Sequence, residues 1–399
     1  MTKSKHIPKR RFKEFELYDE WALLKLDEVA KYRNGKAHEN SISLQGKFIV
    51  VNSKFISTNG EVKKFTDLQI EPIFKNEISF VLSDVPNGRA IARTFLIDQN
   101  DKYTLNQRIA AITPNRNISP YYLYVLLNRN KYFLEFDDGV KQTNLSKADV
   151  LEFKEYYPIS KEQFMIGDFF QTIDSLITLH QHKLKKLKNL KKAYLAELFP
   201  AEGERVPKRR FPGFEGEWEE KKLGEVSEIY DGTHQTPRYT TDGIMFLSVE
   251  NIKTLKSNKY ISEADFVKDF KISPQNGDVL MTRIGDIGTS NVVNSDGKLA
   301  FYVSLALIRS TQLDSNFLNT SISSINFQKE LWSRTLHIAF PKKINKNEIG
   351  EVSILFPSIT EQQAIGRFFQ KLDKSISLQQ EKLDKLKDLK KAYLNELFV

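Results

Sequence analysis

The feature that most constrains this chain is an internal repeat whose period is half of its 399 residues. The segment PISKEQFMIGDFFQTIDSLITLHQHKLKKLKNLKKAYLAELFP, which opens at Pro158, returns from Pro357 as PSITEQQAIGRFFQKLDKSISLQQEKLDKLKDLKKAYLNELFV, without a gap. A second shared block, PKRRF, opens each half at 8–12 and 207–211, and a Trp and an L-x-E-V step follow it. A solenoid has far shorter repeats, so the pattern indicates a duplicated unit.

The repeated segments are predicted to be long helices. Neither contains an internal Pro, and each starts after a Pro with a capping-box pattern, Ser160 to Gln163 and Thr360 to Gln363. Apolar residues recur at alternating steps of four and three, which predicts a heptad seam. The seam residues are Ile166, Phe170, Ile173, Ile177, Leu184, Leu187, Tyr194 and Leu198, then Ile365, Phe369, Leu372, Ile376, Leu383, Leu386, Tyr393 and Leu397. A second stripe in the first copy, Phe169, Leu176, Leu179 and Leu190, widens the apolar face.

Two helices with nearly the same apolar face are expected to pack on each other, and an antiparallel pair would give an approximate internal two-fold axis. The alternative is that each helix packs only on its own domain. The segments between the repeats are unrelated to each other and carry strand-like runs, such as 47–57, 77–83, 243–252 and 277–284, with a helix predicted from Ser119. The predicted fold is α+β, with two recognition domains separated by two long antiparallel coiled-coil helices and pseudo-two-fold symmetry. The predicted ranges are 1–157 and 201–356 for the domains, and 158–200 and 357–399 for the helices.

Composition narrows the class of protein. The chain has no Cys, which excludes disulfides, thiolate zinc sites and cysteine nucleophiles. No run approaches the roughly 18 apolar residues that cross a bilayer, and no apolar segment follows the basic N-terminus, so we expect a cytoplasmic protein with no membrane partner. The net charge of +9 is compatible with phosphate binding and is not diagnostic of it.

Motifs for catalysis are missing from the sequence. There is no G-x-x-x-x-G-K-[ST] phosphate loop and no Pro-Asp step typical of nucleases, and the six His residues lack metal-ligand spacing. The nearest match to the Pro-Pro-aromatic loop of amino-methyltransferases begins at Ser119, and a Pro in the first turn of a helix explains it. We therefore expect no catalytic residue, no metal site and no cofactor site on this chain.

The alternation of variable domain and duplicated helix, with KxLKxLKKAYLxELF closing each copy, resembles the specificity subunit of type I restriction-modification enzymes. The resemblance spans essentially the whole chain and includes the Trp-x-x-x-x-Leu-x-Glu-Val openings, GVKQTNLS at 139–146, DGTHQTPRY at 231–239 and GDVLMTRIGDIG at 277–288. The second half departs from the pattern at 337–345, where it reads HIAFPKKIN.

The resemblance implies a non-catalytic subunit of an adenine-methyltransferase and ATP-dependent endonuclease complex. Each variable domain would read a few base pairs of double-stranded DNA, and the helices would set the spacer between the two parts of the site. The helices would also dock two methyltransferase subunits, with restriction (translocase) subunits added. S-adenosylmethionine, ATP and Mg would bind those partners and not this chain. Because the helices are near-copies while the domains differ, we also expect a two-part, asymmetric site with a fixed gap.

The residues expected to contact DNA are loop side chains suited to base edges and phosphates. In the first domain they are Lys36, His38, Asn40, Arg89, Arg93, Lys141, Gln142 and Asn144. In the second domain they are His234, Gln235, Arg238, Arg283, Ser290, Asn291, Lys342, Lys343 and Asn345. For any single one of them, simple solvation of a surface side chain is the alternative.

Other interpretations stay open on sequence alone. The Lys-rich tract at 183–192 fits the solvated side of a coiled coil, or a surface that contacts phosphates or acidic partners. The whole chain could instead be a coiled-coil adaptor whose variable domains bind protein partners. A self-sufficient enzyme is the interpretation that the missing motifs oppose most.

Overall fold

The variable segments fold as mixed helix-and-sheet units, each with a core of its own. The computed structural model describes residues 6–18 and 20–399, so residues 1–5 and Asp19 of the predicted first domain lie outside the described residues. The chain divides into a first unit, Met1–Gln181 with Lys382–Val399, and a second unit, His182–Glu381. Each unit therefore contains one variable segment, the start of the long helix that follows it and the end of the other long helix.

The first unit contains thirteen strands and five short α-helices within the described residues. The strands are β1 (Ala22–Lys25), β2 (Ala30–Asn34), β3 (Ile42–Ser43), β4 (Phe48–Val51), β5 (Phe65–Thr66), β6 (Pro72–Ile73), β7 (Ile78–Val81), β8 (Ser83–Asp84), β9 (Thr94–Leu96), β10 (Tyr103–Leu105), β11 (Ile109–Pro114), β12 (Thr143–Asn144) and β13 (Lys154–Tyr157). The helices are α1 (Leu26–Val29), α2 (Ser53–Ser57), α3 (Pro120–Leu127), α4 (Lys131–Leu134) and α5 (Lys147–Leu151).

Two sheets organise the first unit. One has the strand order β2-β11-β7-β9 and the other β3-β5-β4-β10-β6, with the two-stranded pairs β1-β13 and β12-β8 beside them. Helix α3 begins at Pro120 because the Ser119 hydroxyl accepts from the Tyr122 amide at 3.4 Å, which confirms the helix predicted from Ser119. Its buried Tyr122 shares the main core with Phe80, Phe133 and Phe170.

The second unit repeats part of this plan. After the long helix α6 (Ser160–Glu197) come α7 (Leu223–Val226), α8 (Glu263–Asp269), α9 (Ser315–Ile322), α10 (Ile325–Ser333), α11 (Lys346–Gly350) and the second long helix, α12 (Ile359–Glu396). The strands are β14 (Glu219–Lys222), β15 (Glu228–Asp231), β16 (Ile244–Leu247), β17 (Tyr260–Ile261), β18 (Val279–Thr282), β19 (Ser290–Val292), β20 (Leu299–Phe301), β21 (Leu305–Arg309) and β22 (Ser353–Phe356). The sheet β15-β21-β18-β19 corresponds to β2-β11-β7-β9, and a smaller sheet has the order β17-β16-β20.

The long helices pack antiparallel in both units. In the first unit, the Phe169 and Tyr393 rings lie 4.8 Å apart and Lys390 Nζ lies 2.6 Å from Asp174 Oδ1. The second unit has the same contacts, with each residue replaced by its counterpart 199 positions away: Phe368 packs on Tyr194 at 4.9 Å and Lys191 Nζ lies 2.6 Å from Asp373 Oδ1. From Phe169 to Asp174 the residue numbers rise along α6, while those of their partners fall from Tyr393 to Lys390 along α12. The two helices therefore run in opposite directions. The predicted fold class is confirmed in its mixed helix-and-sheet units and its two long helices.

The seam residues are divided between two kinds of packing. Those near the start of each helix, such as Ile166 and Phe170, enter the core of that unit's own domain. The end of the other helix joins the same core, where Phe398 stacks on Tyr122 at 5.3 Å. Both expected packings therefore occur. By contrast, the second stripe is largely unpacked, because Leu176, Leu179 and Leu190 are exposed.

The repeated PKRRF block joins the two helices within each unit. In the first unit, Arg11 donates to both carboxylate oxygens of Glu162 at 2.7 Å, while Arg10 pairs with Glu396 at the end of α12. The second unit has the equivalent contacts: Arg210 binds Glu361 and Arg209 binds Glu197. Consecutive arginines thus hold the start of one helix and the end of the other.

Two local predictions were wrong. The Gln163 amide does not close a capping box, because it donates to Pro158 O at 2.8 Å and accepts from Ser119 N at 3.3 Å. Its counterpart is Gln362 and not Gln363. The 47–57 run is a strand only as far as Val51, since the Asn52 side chain accepts from Phe55 N at 2.9 Å and starts α2.

No helix among the described residues has the length and apolarity needed to cross a membrane.

Candidate nucleic-acid interface

Two glycines place equivalent loops in the two units. Gly35 follows β2, and a Cβ added to it would lie 2.0 Å from the carbonyl oxygen of Asn106. Gly232 follows β15, where an added Cβ would lie 2.4 Å from the carbonyl oxygen of Phe301. Only glycine lets the backbone approach so closely. As a result, the loops 34–40 and 231–238 each lie against the turn that enters the last long strand of their sheet.

In the first unit, the start of loop 34–40 borders an open polar groove of about 370 Å³, called here the first-unit groove. Its lining residues are Tyr32, Asn34, Gly35, Leu82, Ser83, Gln107, Arg108, Asn144, Leu145, Ser146 and Lys147. Burial raises the pKa of Tyr32 to about 12, so its phenol stays protonated and donates to Asn34 Oδ1 at 2.5 Å. That bond fixes the Asn34 amide with its NH2 group still able to donate. The groove therefore offers both donors and acceptors to a base edge.

Loops 83–93 and 139–146 meet beside this groove. Asn144 pairs with Ser83 in the β8-β12 ladder, and Gln142 Nε2 donates to Ser83 Oγ at 2.7 Å. Asn87 reaches across to the carbonyl oxygen of Gly139 at 3.1 Å. The two loops are thus held as one surface. The predicted residues Arg89, Lys141, Gln142 and Asn144 on these loops are exposed, while Arg93 is half-buried and donates to the Arg89 carbonyl oxygen.

The predicted residues of loop 34–40 lie in other surroundings. His38 is buried, with its ring nitrogens bonded to Thr104 Oγ1 at 2.9 Å and to the carbonyl oxygen of Lys36 at 2.7 Å. Lys36 Nζ pairs with Glu71 at 3.1 Å, and Asn40 is exposed. Burial acts to raise the pKa of Glu71, but its hydrogen bonds to Arg33 and Lys36 hold it below the ordinary value. These contacts favour a supporting role for His38 in shaping the loop.

In the second unit, Arg283 connects three predicted loops. Its buried side chain pairs with Asp231 and donates to the carbonyl oxygen of Ile344 at 3.1 Å, and its backbone N–H donates to Ser304 O at 2.9 Å. Burial lowers the pKa of its guanidinium, which remains charged at neutral pH because arginine starts so high. Arg283 therefore holds loops 231–238, 283–288 and 336–345 together, and its side chain is not available at the surface.

The other predicted residues of the second unit fall into two groups. His234, Gln235, Arg238, Lys342, Lys343 and Asn345 are exposed on the loops gathered by Arg283. Ser290 donates to Asn319 Oδ1 at 2.8 Å, and Asn291 donates to the carbonyl oxygen of Ile252 at 3.0 Å. Both of these side chains are occupied by bonds that fix β19 and its neighbours.

Sequence reasoning missed several groove residues, namely Tyr32, Asn34, Gln107, Arg108 and Lys147. The Asn-Gln-Arg step that separates the apolar runs of β10 and β11 was a usable signal for two of them, because it marks a polar turn at the end of a buried strand. Lys147 also had a usable signal, because Ser146 and Asp149, three residues apart, form the capping box that opens the short helix α5.

The two surfaces are built alike but carry different side chains. Leu145 N bonds to the carbonyl oxygen of Leu82 at 2.8 Å, as Ile344 N bonds to that of Arg283 at 3.0 Å. The charged pair of Asp231 and Arg283 thus occupies the places that Asn34 and Leu82 hold in the first unit. The two units therefore share the backbone arrangement of this surface but differ in the side chains that it carries.

Comparison with known proteins agrees with this duplicated organisation. The family model described as "Type I restriction modification DNA specificity domain" matches twice, over residues 18–189 and 215–388. The type I restriction enzyme MjaVIII specificity subunit of Methanocaldococcus jannaschii is 22% identical over 400 residues, covering 95% of this chain and 92% of that relative. The putative MjaX specificity subunit of the same organism is also 22% identical, covering 96% and 93%.

A solved structure has the same fold. The S subunit of a type I restriction-modification system from M. genitalium superimposes with a TM-score of 0.70 at 16% identity, covering 98% of this chain and 99% of that one. With both of its units matched, the chain belongs to the type I restriction-modification DNA specificity family and is a DNA-recognition subunit.

Proposed function

We propose that each unit reads one part of a two-part, asymmetric DNA sequence in which a gap of fixed length separates the parts. The observation that carries this proposal is the repetition of the frame without repetition of the loops. Arg11 with Glu162 and Arg210 with Glu361 are the same contact, whereas the loops beside Leu82 and Arg283 differ in length, charge and polarity. Two different surfaces on two like frames suit two different half-sites.

In the first unit, the proposed reading residues are those of the first-unit groove and the loops beside it. Asn34 and Asn144 have the amide groups that match base edges, and Arg108 has the fork that matches guanine or phosphate. Lys141 and Lys147 are exposed cations suited to phosphates. In the second unit, the exposed His234, Gln235, Arg238 and Asn345 take the corresponding roles, with Lys342 and Lys343 on phosphates.

Under the same proposal, the chain binds methyltransferase and restriction subunits, and those subunits carry out the catalysis. Leu179 and Leu389 are exposed on the two long helices of the first unit, and Leu378 and Leu190 repeat this pair in the second. Two equivalent apolar pairs support docking of two copies of a methyltransferase subunit, with restriction subunits joining that assembly. S-adenosylmethionine, ATP and Mg would be bound by those subunits. The cytoplasmic location stays a prediction.

The test is whether each unit controls only its own half of the target. The chain is purified with its methyltransferase partner and used to select duplexes from a random library. Asn144→Ala should relax one half of the selected motif and Gln235→Ala the other, with a loss of about 1–3 kcal/mol for each good base contact. Asn189→Ala, on the exposed side of α6, is the control and should leave both halves intact. Relaxation of both halves by one substitution would contradict the proposal.

A further inference from the structure

The second unit presents two large apolar side chains on a turn where the first unit presents one smaller apolar side chain among polar ones. Residues 336–343 form a tight turn, closed where Leu336 N donates to the carbonyl oxygen of Lys343 at 2.8 Å. Ile338 and Phe340 at its tip are fully exposed. At the matching places the first unit has Gly139 and Lys141, and the residue between them, Val140, is the single exposed large apolar side chain of that turn. Two fully solvated large apolar side chains, two positions apart on one turn, are disfavoured unless something covers them.

The base of this turn is fixed to the candidate DNA-reading loops. Gly285 N donates to the carbonyl oxygen of Lys342 at 2.8 Å, and Ile344 N donates to that of Arg283 at 3.0 Å. On its other side, Lys342 Nζ lies 4.4 Å from the centre of the Trp332 ring, against which His337 also packs at 4.4 Å. The tip therefore projects from a rigid base that it shares with the loops around Arg283.

Charge around the tip indicates what covers it. From 335 to 347 the sequence contains three lysines and no carboxylate, and the next acidic residue, Glu348, pairs with Arg334 at 3.3 Å. An apolar tip flanked by cations matches the surface of nucleic acid, where phosphates border the apolar faces of the bases. Proteins that kink DNA insert Phe, Leu, Ile or Met side chains between base steps in this way.

We propose that the 336–343 turn is a wedge that places Phe340, with Ile338 beside it, into a base step of the half-site read by the second unit. Lys342 and Lys343 hold the phosphates on either side. The second unit then reads the ease of unstacking as well as base edges, which favours a flexible pyrimidine–purine step at that place. The first unit, whose turn carries the smaller Val140 beside Lys141 and Gln142, reads its half without an aromatic wedge. This inference rests on the proposed DNA-reading function.

The test uses the full chain assembled with its methyltransferase partner, and a duplex carrying the motif that the assembly selects. Adenines of the second half-site are replaced in turn by 2-aminopurine, whose fluorescence rises when it is unstacked. Apart from the adenine that the methyltransferase itself extrudes, we expect one position to brighten on binding, and Phe340→Ala should remove that signal and weaken binding by about 5- to 150-fold. Phe340→Leu should keep most of both. Val267→Ala, which removes an exposed apolar side chain from α8 of the same unit, is the control and should change neither.

Each other outcome overturns the wedge. If Phe340→Ala binds and brightens like Val267→Ala, the tip does not enter the duplex. If it instead prevents assembly with the methyltransferase, measured by light scattering, the tip is a protein-docking surface. The wild-type assembly separates this failure from that of the proposed function. A wild type that still prefers its motif over a scrambled duplex leaves the DNA-reading proposal intact, and one that does not removes both.

Discussion

The buried pair of Arg210 and Glu361 gives a sharp test of how the repeated frame is held together. Arg210 donates to the two carboxylate oxygens at 2.7 and 2.6 Å and to the carbonyl oxygen of Gly216 at 2.6 Å. The Glu361 side chain is 1% exposed and lies in the first turn of α12, where the helix dipole also favours its charge. Arg210→Ala leaves that carboxylate buried without its counter-charge.

The expected loss follows from this burial. Removing one partner of a buried ion pair costs about 3–5 kcal/mol, against about 0–1 kcal/mol for an exposed pair. The second unit offers a matched control in Arg205, whose pair with Glu220 at 3.3 Å is exposed on both sides. Arg210→Lys should lie between the two, because lysine keeps the charge but loses the bidentate geometry.

The measurement is urea unfolding of the full chain, with hydrogen exchange followed in peptides that cover the first turns of α12. Arg210→Ala should raise local opening there more than 100-fold, while Arg205→Ala should change it less than about 5-fold. In the first unit, Arg11→Ala should have the same effect on the start of α6, because Glu162 is equally buried. Equal effects of the buried and the exposed substitution would refute this account of the frame.

Three further predictions concern the candidate interface. Arg283→Leu alone should lower the melting temperature of the second unit, because it leaves Asp231 without its partner. Adding Asp231→Asn, which copies the first unit, should restore much of that loss. A double variant no more stable than the single one would contradict the role of Arg283 in holding the three loops together. Gly35→Ala should lower both stability and DNA binding, since its Cβ would meet the Asn106 carbonyl, while Gly297→Ala, which meets only a side chain at 3.5 Å, should do neither. The lowered pKa of Glu71 contributes stability that is present above about pH 4.3 and is lost as pH falls through the lowered value. Hydrogen exchange of the backbone amides in loop 34–40 should therefore rise in acid for the wild type, and much less for Glu71→Gln.

The long helices were predictable because their signal is local and repeated. Heptad spacing, a preceding Pro and the absence of an internal Pro placed their starts within about two residues of Ser160 and Ile359. Their packing on each other followed from the likeness of their faces, whereas the antiparallel direction was an implication of the family resemblance. The role of PKRRF did not follow, because Arg11 and Glu162 are 151 residues apart and the block has no periodicity of its own. The sequence shows that the block is repeated in both halves but not which residues it binds.

The candidate site was predictable as loops and less so as residues. Residue type and turn composition picked out loops 83–93, 139–146 and 231–238, which the fold gathers into two surfaces. Type alone does not tell an exposed side chain from a buried one. His38 and Arg283 have the chemistry of DNA contacts, yet both are buried as supports, because Thr104 and Asp231 reach them through strands distant in sequence. The apolar turn at 336–343 was read only for its lysines, since exposure of Ile338 and Phe340 is a property of the fold.

The central claim is that the two units read different halves of one DNA site. The most direct measurement is single-molecule sequencing of adenine methylation in cells with and without this gene, together with its methyltransferase partner, followed by exchange of residues 12–157 for the matching segment of a relative. We predict a two-part motif that disappears on deletion, and a single half of it that changes on exchange. A motif that survives deletion, or an exchange that changes both halves or neither, would contradict the account.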